Sequence, residues 1–406
     1  MADFNLTRRL AKNTGGKIML LVMDGLGGLP SEQGGLTELE TARTPNMDRL
    51  AAEGTTGLTI PIRRGLTPGS GPAHLALFGY DPLEYEIGRG VLECFGIGMQ
   101  VGPTDVAIRG NFCTVDESGV ITDRRAGRIP TEKCAELVEK LRVIKIPPYE
   151  IEVQPVKDYR FGVVIRGEGL SGEVNDTDPQ AVGKRPLPAE ARTPEAQPTA
   201  DLINEWVAKA AVILKDEQPA NMLTLRGVSM DPNLPKYADV YKLRAACVAV
   251  YPMYRGVSQL VGMEVVETDA HDTPADEFSR VAEQFALGYD FVFCHVKYTD
   301  SRGEDGDFDA KVKVIEEVDA ALPIILNDAK PDVLIITGDH STPSTYKAHS
   351  WHPVPVLLWA PGMHMTDRAT AFGERECMNG GLGQFPASDL MVLALAHADR
   401  LNKFGA

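Results

Sequence analysis

A chain of 406 residues exceeds what one simple core usually accommodates and predicts two domains. Its 43% apolar and 24% charged residues are those of a folded soluble protein rather than a disordered one. The formal net charge of −16 argues against a nucleic-acid or anionic-membrane surface, which would need a basic stripe, so an anionic ligand would need locally concentrated arginines.

The opening residues MADFNLTRRLAKNTGGK are mixed and polar, and the apolar run KIMLLVMDG is too short and too soon acidic for a signal or membrane span. A cytoplasmic location is expected. Residues 17–23 read as a buried strand stopped by the turn Asp24-Gly25, which leaves Asp24 at the strand's carboxyl end. A helix comes next, with Thr44 as N-cap, Pro45 in its first position and Gly54 at its end. Ser70 stands in the glycine-flanked turn TPGSGPAH ahead of the apolar helical run 75–78, where it would N-cap a helix whose free N–H groups favour an anion.

Between about residues 85 and 217 the pattern changes to short alternating runs, 106–115 and 162–166, with Asp116-Glu117-Ser118-Gly119 as a turn between strands. A turn at Gly183-Lys184 and a Pro/Ala-rich exposed loop over 185–199 complete an inserted α+β domain, leaving 1–84 and 218–406 as the other. Residues 291–296, 333–337 and 354–359 are continuous apolar strands of the kind found in parallel sheets covered on both faces. Val312, Ile315, Val318 and Leu322 recur at helical spacing over 308–326, which supplies a βαβ crossover. The expected fold is an α/β sandwich around a mostly parallel sheet, with a smaller α+β insert.

In such sheets ligands bind beyond the carboxyl ends of the strands, and there the chain delivers Asp24, Asp300, Glu304, Asp339, His340 and, on the loop before the last strand, His349. Four carboxylates in one crevice repel one another unless cations offset them, and two divalent ions match their charge. Mixed carboxylate and imidazole donors suit Mn²⁺ best, with Zn²⁺, Co²⁺ and Mg²⁺ as alternatives and Ca²⁺ disfavoured. A serine hydroxyl is a weak nucleophile until a base or metal activates it, so Ser70 and the metals form one device. Taken singly, Ser70 is a helix cap, Asp339-His340 a capped turn and His349 a loop histidine.

His295 reads as a core or supporting histidine, and His271, His352 and His364 as surface residues. Lys297, on the strand leading to Asp300, is a catalytic candidate. Arg109, Arg124, Arg125, Arg128, Arg160 and Arg166 lie in the insert, with Arg226 and Arg255 just after it; each is a surface charge in the plain reading, and a subset would hold an acidic phosphorylated metabolite. Cys94, Cys113, Cys134, Cys247, Cys294 and Cys377 show no C-x-x-C pair and read as reduced thiols.

The segments LLVMDGLGG, TARTPNMDRLAAEG, RGLTPGSGPAHLALFGYDP, ITDRRAGRI, HVKYTDSRGEDGDFDAKVKVIEEVD, TGDHSTP and AHSWHPVPVLLW resemble, almost end to end, the archaeal-type 2,3-bisphosphoglycerate-independent phosphoglycerate mutases of the alkaline phosphatase superfamily. The resemblance implies a phosphatase-like domain with an inserted transferase domain, no bisphosphoglycerate requirement and a transiently phosphorylated Ser70. It implies one metal held by Asp24, Ser70, Asp339 and His340 and another by Asp300, His349 and position 304. There the family usually has histidine where this chain has Glu304, a harder ligand that bears on metal identity.

Arg109, Arg125, Arg128, Arg226 and Arg255 are the expected substrate-binding arginines, ITDRRAGRI and LTLRG being the family-like segments among them. Under this resemblance 3-phosphoglycerate and 2-phosphoglycerate interconvert by two in-line displacements while the insert closes out water. The alternatives are a metal-dependent phosphomonoesterase or other phosphomutase, a homoserine kinase-like enzyme, and a non-catalytic role. The chain has no G-x-x-x-x-G-K-[ST] loop for a nucleotide.

Overall fold

The six apolar residues Ile18–Met23 form a strand with every side chain buried, as a run of that length between a lysine and an aspartate should. Each is worth about 1.5–3 kcal/mol of burial, so this strand is an anchor of its sheet. The computed structural model describes residues 3–32, 34–363 and 365–405, and His364, expected at the surface, lies outside them. The chain divides into two compact units, 1–86 with 235–406, and 87–234. The second boundary falls at 234/235 rather than 217/218 because the strand Met222–Ser229 pairs within the second unit.

In chain order the strands are β1 (Ile18–Met23), β2 (Thr55–Ile60), β3 (Val106–Val115), β4 (Ile121–Asp123), β5 (Glu150–Lys157), β6 (Arg160–Arg166), β7 (Met222–Ser229), β8 (Ala245–Ala249), β9 (Glu264–Val265), β10 (Phe291–Val296), β11 (Val333–Thr337), β12 (Val354–Trp359) and β13 (Gly383–Pro386).

Among the described residues the first unit is built on an eight-stranded sheet in the order β13-β2-β12-β11-β1-β10-β8-β9. β11, β1, β10 and β8 run parallel, so β1 is flanked by the two strands that the helix Phe308–Ile324 links. β12, expected to be parallel, is antiparallel to both β11 and β2. A loop rather than a crossover helix connects β11 to β12, and a chain that returns directly must run antiparallel. That loop, 338–353, therefore lies wholly at the carboxyl end of β11.

The helix Pro45–Glu53 has Thr44 at its N-cap position, but the Thr44 side chain makes no bond to the helix amides. Asp319, from the helix Phe308–Ile324, accepts instead from Asn46 N at 3.2 Å and Met47 N at 2.7 Å, a charged acceptor joining two helices in one contact. On that second helix Ile315, Val318 and Leu322 are buried as their spacing predicts, whereas Val312 is half-buried and the adjacent Lys311 takes the inward position.

The second unit carries an antiparallel sheet in the order β4-β3-β6-β5, with β7 sharing the β4 edge of β3. Phe112, Phe161 and Trp206 centre its core. The loop expected over 185–199 turns helical at Pro194 and leads into the helix Gln197–Leu214, where Thr199 is buried. All six cysteines are buried and unpaired. Among the described residues no helix is long and apolar enough to cross a membrane.

Candidate active site

Because β11, β1 and β10 are parallel neighbours, the residues that succeed each strand emerge at the same edge of the sheet. β1 delivers Asp24, β10 delivers Lys297 and Asp300, and β11 delivers Asp339 and His340. Gly25 makes this convergence feasible: its φ is +61°, and a Cβ there would meet Thr342 Oγ1 at 2.5 Å and Asp300 Oδ1 at 2.9 Å. Ser70 reaches the same place from the helix Ser70–Leu77. It is the first helical residue, with Gly69 at the N-cap, so the expected cap bond is absent and the hydroxyl faces His340 instead.

His340 Nε2 is the hub. It lies 3.2 Å from Ser70 Oγ, 3.4 Å from Asp24 Oδ1 and 3.3 Å from Asp339 Oδ2. The His349 ring stacks on it with centroids 3.7 Å apart and places Nε2 3.6 Å from Asp300 Oδ1. Donor atoms of Asp24, Asp339 and His340, and of Asp300, His340 and His349, each fall within 4.8 Å of one another. Asp24 Oδ1 and Asp339 Oδ2 are buried without a hydrogen bond, a costly state for a carboxylate oxygen that a cation would relieve. Carboxylate and imidazole donors around these orphaned oxygens fit first-row divalent ions. Glu304 stands outside both sets, half exposed, with Oε1 3.9 Å from His349 Nε2.

Lys297 Nζ donates to Asp24 Oδ2 at 2.8 Å and Asp300 Oδ2 at 2.5 Å. Burial, reinforced by the Asp339 charge, pushes the Asp24 carboxyl well above the usual range. Burial also works against Asp300 and Asp339, but Lys297 outweighs it at the first, and the adjacent imidazoles with the Gly25 amide outweigh it at the second, so both are held low. His340 is pushed down to about 4 by burial, which leaves a neutral ring with a lone pair to offer.

A buried layer stands behind these groups, and of its members the sequence marked His295, as a core or supporting histidine. Tyr254 donates to Asp24 Oδ2, and His295, wholly buried, stacks on Tyr254 at 3.6 Å with Nε2 3.6 Å from the same oxygen. His74 Nδ1 lies 3.2 Å from Asp339 Oδ2 and 2.8 Å from Ser70 O. Its place four residues after Ser70, on the same helix face, was the one hint of its role. Thr342 Oγ1 bridges Asp300 Oδ1 at 2.8 Å and His340 Nδ1 at 3.0 Å. His271 is exposed, whereas His352 is half-buried, bonded to Ser350 Oγ at 3.0 Å and stacked on Trp351.

Of the expected arginines, Arg255 belongs to the first unit, its Nε buried without a partner. Arg109, Arg125, Arg128 and Arg226 belong to the second. Arg109 and Arg226 face each other across β3 and β7, with Glu93 3.4 Å from Arg109 and both Asp176 and Asp178 3.6 Å from Arg226 Nε. Arg89, unnoticed in the sequence, joins them: burial and these two neighbours lower its pKa. Arg125 and Arg128 are exposed in the turn after β4, and Arg124 pairs with Asp178 at 2.8 Å.

Residues 51–221 match the family model described as 2,3-bisphosphoglycerate-independent phosphoglycerate mutase. A Thermotoga maritima protein named "Probable 2,3-bisphosphoglycerate-independent phosphoglycerate mutase" is 52% identical over 394 residues, covering 96% of each chain. A solved Pyrococcus horikoshii protein superposes with a TM-score of 0.82 at 31% identity, covering 97% of this chain and all of that one. The solved cofactor-independent phosphoglycerate mutase of Thermoplasma acidophilum gives a TM-score of 0.72 at 28% identity, over 94% of this chain and all of the other. With half its residues shared along nearly the whole length, this chain belongs to the 2,3-bisphosphoglycerate-independent phosphoglycerate mutase family.

Proposed function

We propose that this protein is an isomerase that interconverts 3-phosphoglycerate and 2-phosphoglycerate without bisphosphoglycerate, with Ser70 as the transient phosphoryl acceptor. The observation that carries this reading is the position of Ser70 Oγ, 3.2 Å from the imidazole shared by two metal-type donor sets, in a chain of this family. Two divalent cations, Mn²⁺ favoured, would be held by Asp24, Ser70, Asp339 and His340 and by Asp300 and His349 with Glu304 nearby; bound there they would favour the Ser70 alkoxide and offset charge on the transferring oxygens.

The chain's own residues account for the rest. Neutral His340 keeps its lone pair toward Ser70, and Lys297 offers a fixed positive charge between Asp24 and Asp300 that suits a phosphoryl group. Arg109, Arg125, Arg128, Arg226 and Arg255 are the candidate substrate-binding arginines, a guanidinium being suited to carboxylate and phosphate.

The test is turnover of 3-phosphoglycerate by chelator-stripped protein with Mn²⁺ restored and no bisphosphoglycerate, beside Ser70→Ala. Metal-dependent formation of 2-phosphoglycerate that vanishes in the variant supports the reading. Dominant release of free phosphate would replace it with a phosphomonoesterase, and no reaction would remove the substrate assignment.

A further inference from the structure

Lys311 interrupts the apolar stripe of the helix Phe308–Ile324 and is wholly buried. A lysine in that position is costly to desolvate, so its partners indicate what holds it there. All three ammonium donors go to backbone carbonyls: Thr342 O at 2.8 Å, Gly25 O at 2.9 Å and Gly27 O at 3.2 Å. These carbonyls sit on the turn just past Asp24 and on the turn just past Asp339 and His340. The same two turns are also joined by Thr342 N donating to Gly25 O and Gly27 O, and by Gly25 N donating to Asp339 Oδ1 at 3.0 Å. Lys311 thus lies under the junction and reaches neither Ser70 nor the donor atoms above.

We propose that Lys311 is a positioning residue whose buried ammonium acts as a fixed monovalent cation, tying the 24–27 turn to the 339–342 turn and holding Asp24, Asp339 and His340 at metal-binding spacing before any metal arrives. The inference rests on the metal-site reading above. It explains why a helix otherwise packed through Ile315, Val318 and Leu322 presents a charge to the protein interior. A clamp of this kind reduces the ordering that metal binding must supply, and residues that orient ligands without touching metal commonly contribute about 10–100-fold in affinity.

Mn²⁺ titration of stripped native protein, followed by calorimetry, tests the metal reading alone: no saturable binding would sink that reading. Lys311→Met and Lys311→Gln are then titrated alongside, with their metal-free thermal midpoints. The expected result is an Mn²⁺ affinity weakened about 10–100-fold at a midpoint within a few degrees of native. Native affinity in either folded variant overturns the inference while leaving the metal reading intact. Weakened affinity that comes with collapse of the metal-free midpoint marks a merely structural lysine and also overturns it.

A third measurement needs no variant. In stripped native protein the Thr342 amide should exchange with solvent as slowly as the core amides of β1 and β11. Exchange at the rate of an exposed loop would mean that the turns are not held without metal, and the proposal would fall.

Discussion

Ser70 Oγ lies 3.2 Å from His340 Nε2. The other ring nitrogen decides what that contact can do. Thr342 has one hydroxyl proton, and Asp300 Oδ1, 2.8 Å away, is an acceptor only; the Thr342 oxygen must therefore accept from His340 Nδ1–H. This fixes the tautomer that leaves the Nε2 lone pair toward Ser70. Thr342→Val should lower kcat/KM for 3-phosphoglycerate about 10–100-fold at saturating Mn²⁺, while Thr342→Ser, which keeps the hydroxyl, should stay within a few-fold of native. Steady-state kinetics decide it, and a Thr342→Val enzyme at native rate would refute the tautomer argument.

Asp24 shows the cost of assembling this centre. Burial and the nearby Asp339 raise its pKa well above the usual carboxyl range, so carrying its charge costs the fold. A neutral isostere should relieve that strain. Asp24→Asn is expected to match or exceed the native thermal midpoint when both are metal-free. Added Mn²⁺ should then stabilise the native chain by about 2.7 kcal/mol per occupied site at one hundred times Kd, and the variant only through the site of Asp300 and His349. Scanning calorimetry with and without Mn²⁺ makes the comparison; equal stabilisation of both proteins would remove Asp24 from the metal-binding set.

Arg109 and Arg226 stand opposite each other in neighbouring strands, a like-charge pairing that destabilises a sheet. Their carboxylate neighbours at 3.4–3.6 Å are too distant for good hydrogen bonds. A phosphate or carboxylate that accepted directly from the guanidinium groups would be preferred. Arg226→Met should therefore raise KM for 3-phosphoglycerate about tenfold or more without lowering the thermal midpoint. An unchanged KM would reduce the pair to surface charge.

Asp24, Asp300, Asp339 and His340 could be read from the sequence because each comes after an apolar strand run, and a run that stops at an acid marks both the strand and its end. The parallel order of β11, β1 and β10 then brings them together with no further information. The reversal of β12 was not legible, since an apolar strand looks alike in either direction; only the loop connection sets its sense. His295 was legible as a core or supporting histidine, whereas Tyr254 and Lys311 were obscured for a different reason. Their roles depend on which turn lies across from them, a contact between segments far apart in the chain, and their own neighbourhoods are ordinary helix. Thr44 is the converse case, a strong local capping signal displaced by the distant Asp319 carboxylate.

Glu277 provides a pH test independent of the metal centre. It lies on the helix Pro274–Ala286, 3% exposed, and burial, reinforced by Asp272 and Asp276, pushes its pKa up to about 9. In the unfolded chain the same carboxyl titrates near 4.3, so between these values the folded protein holds a proton that the unfolded chain has released. The stability associated with that proton is fully present below the unfolded pKa and is lost as pH rises towards about 9. Glu277→Gln is neutral throughout and escapes the loss. Its stability relative to native should rise by about 1.4 kcal/mol per pH unit across this window and level off above it, as read by urea unfolding at pH 5, 7 and 9. A difference that does not change with pH would mean that Glu277 is ionised in the fold, with water or a cation reaching it inside the helix–sheet layer.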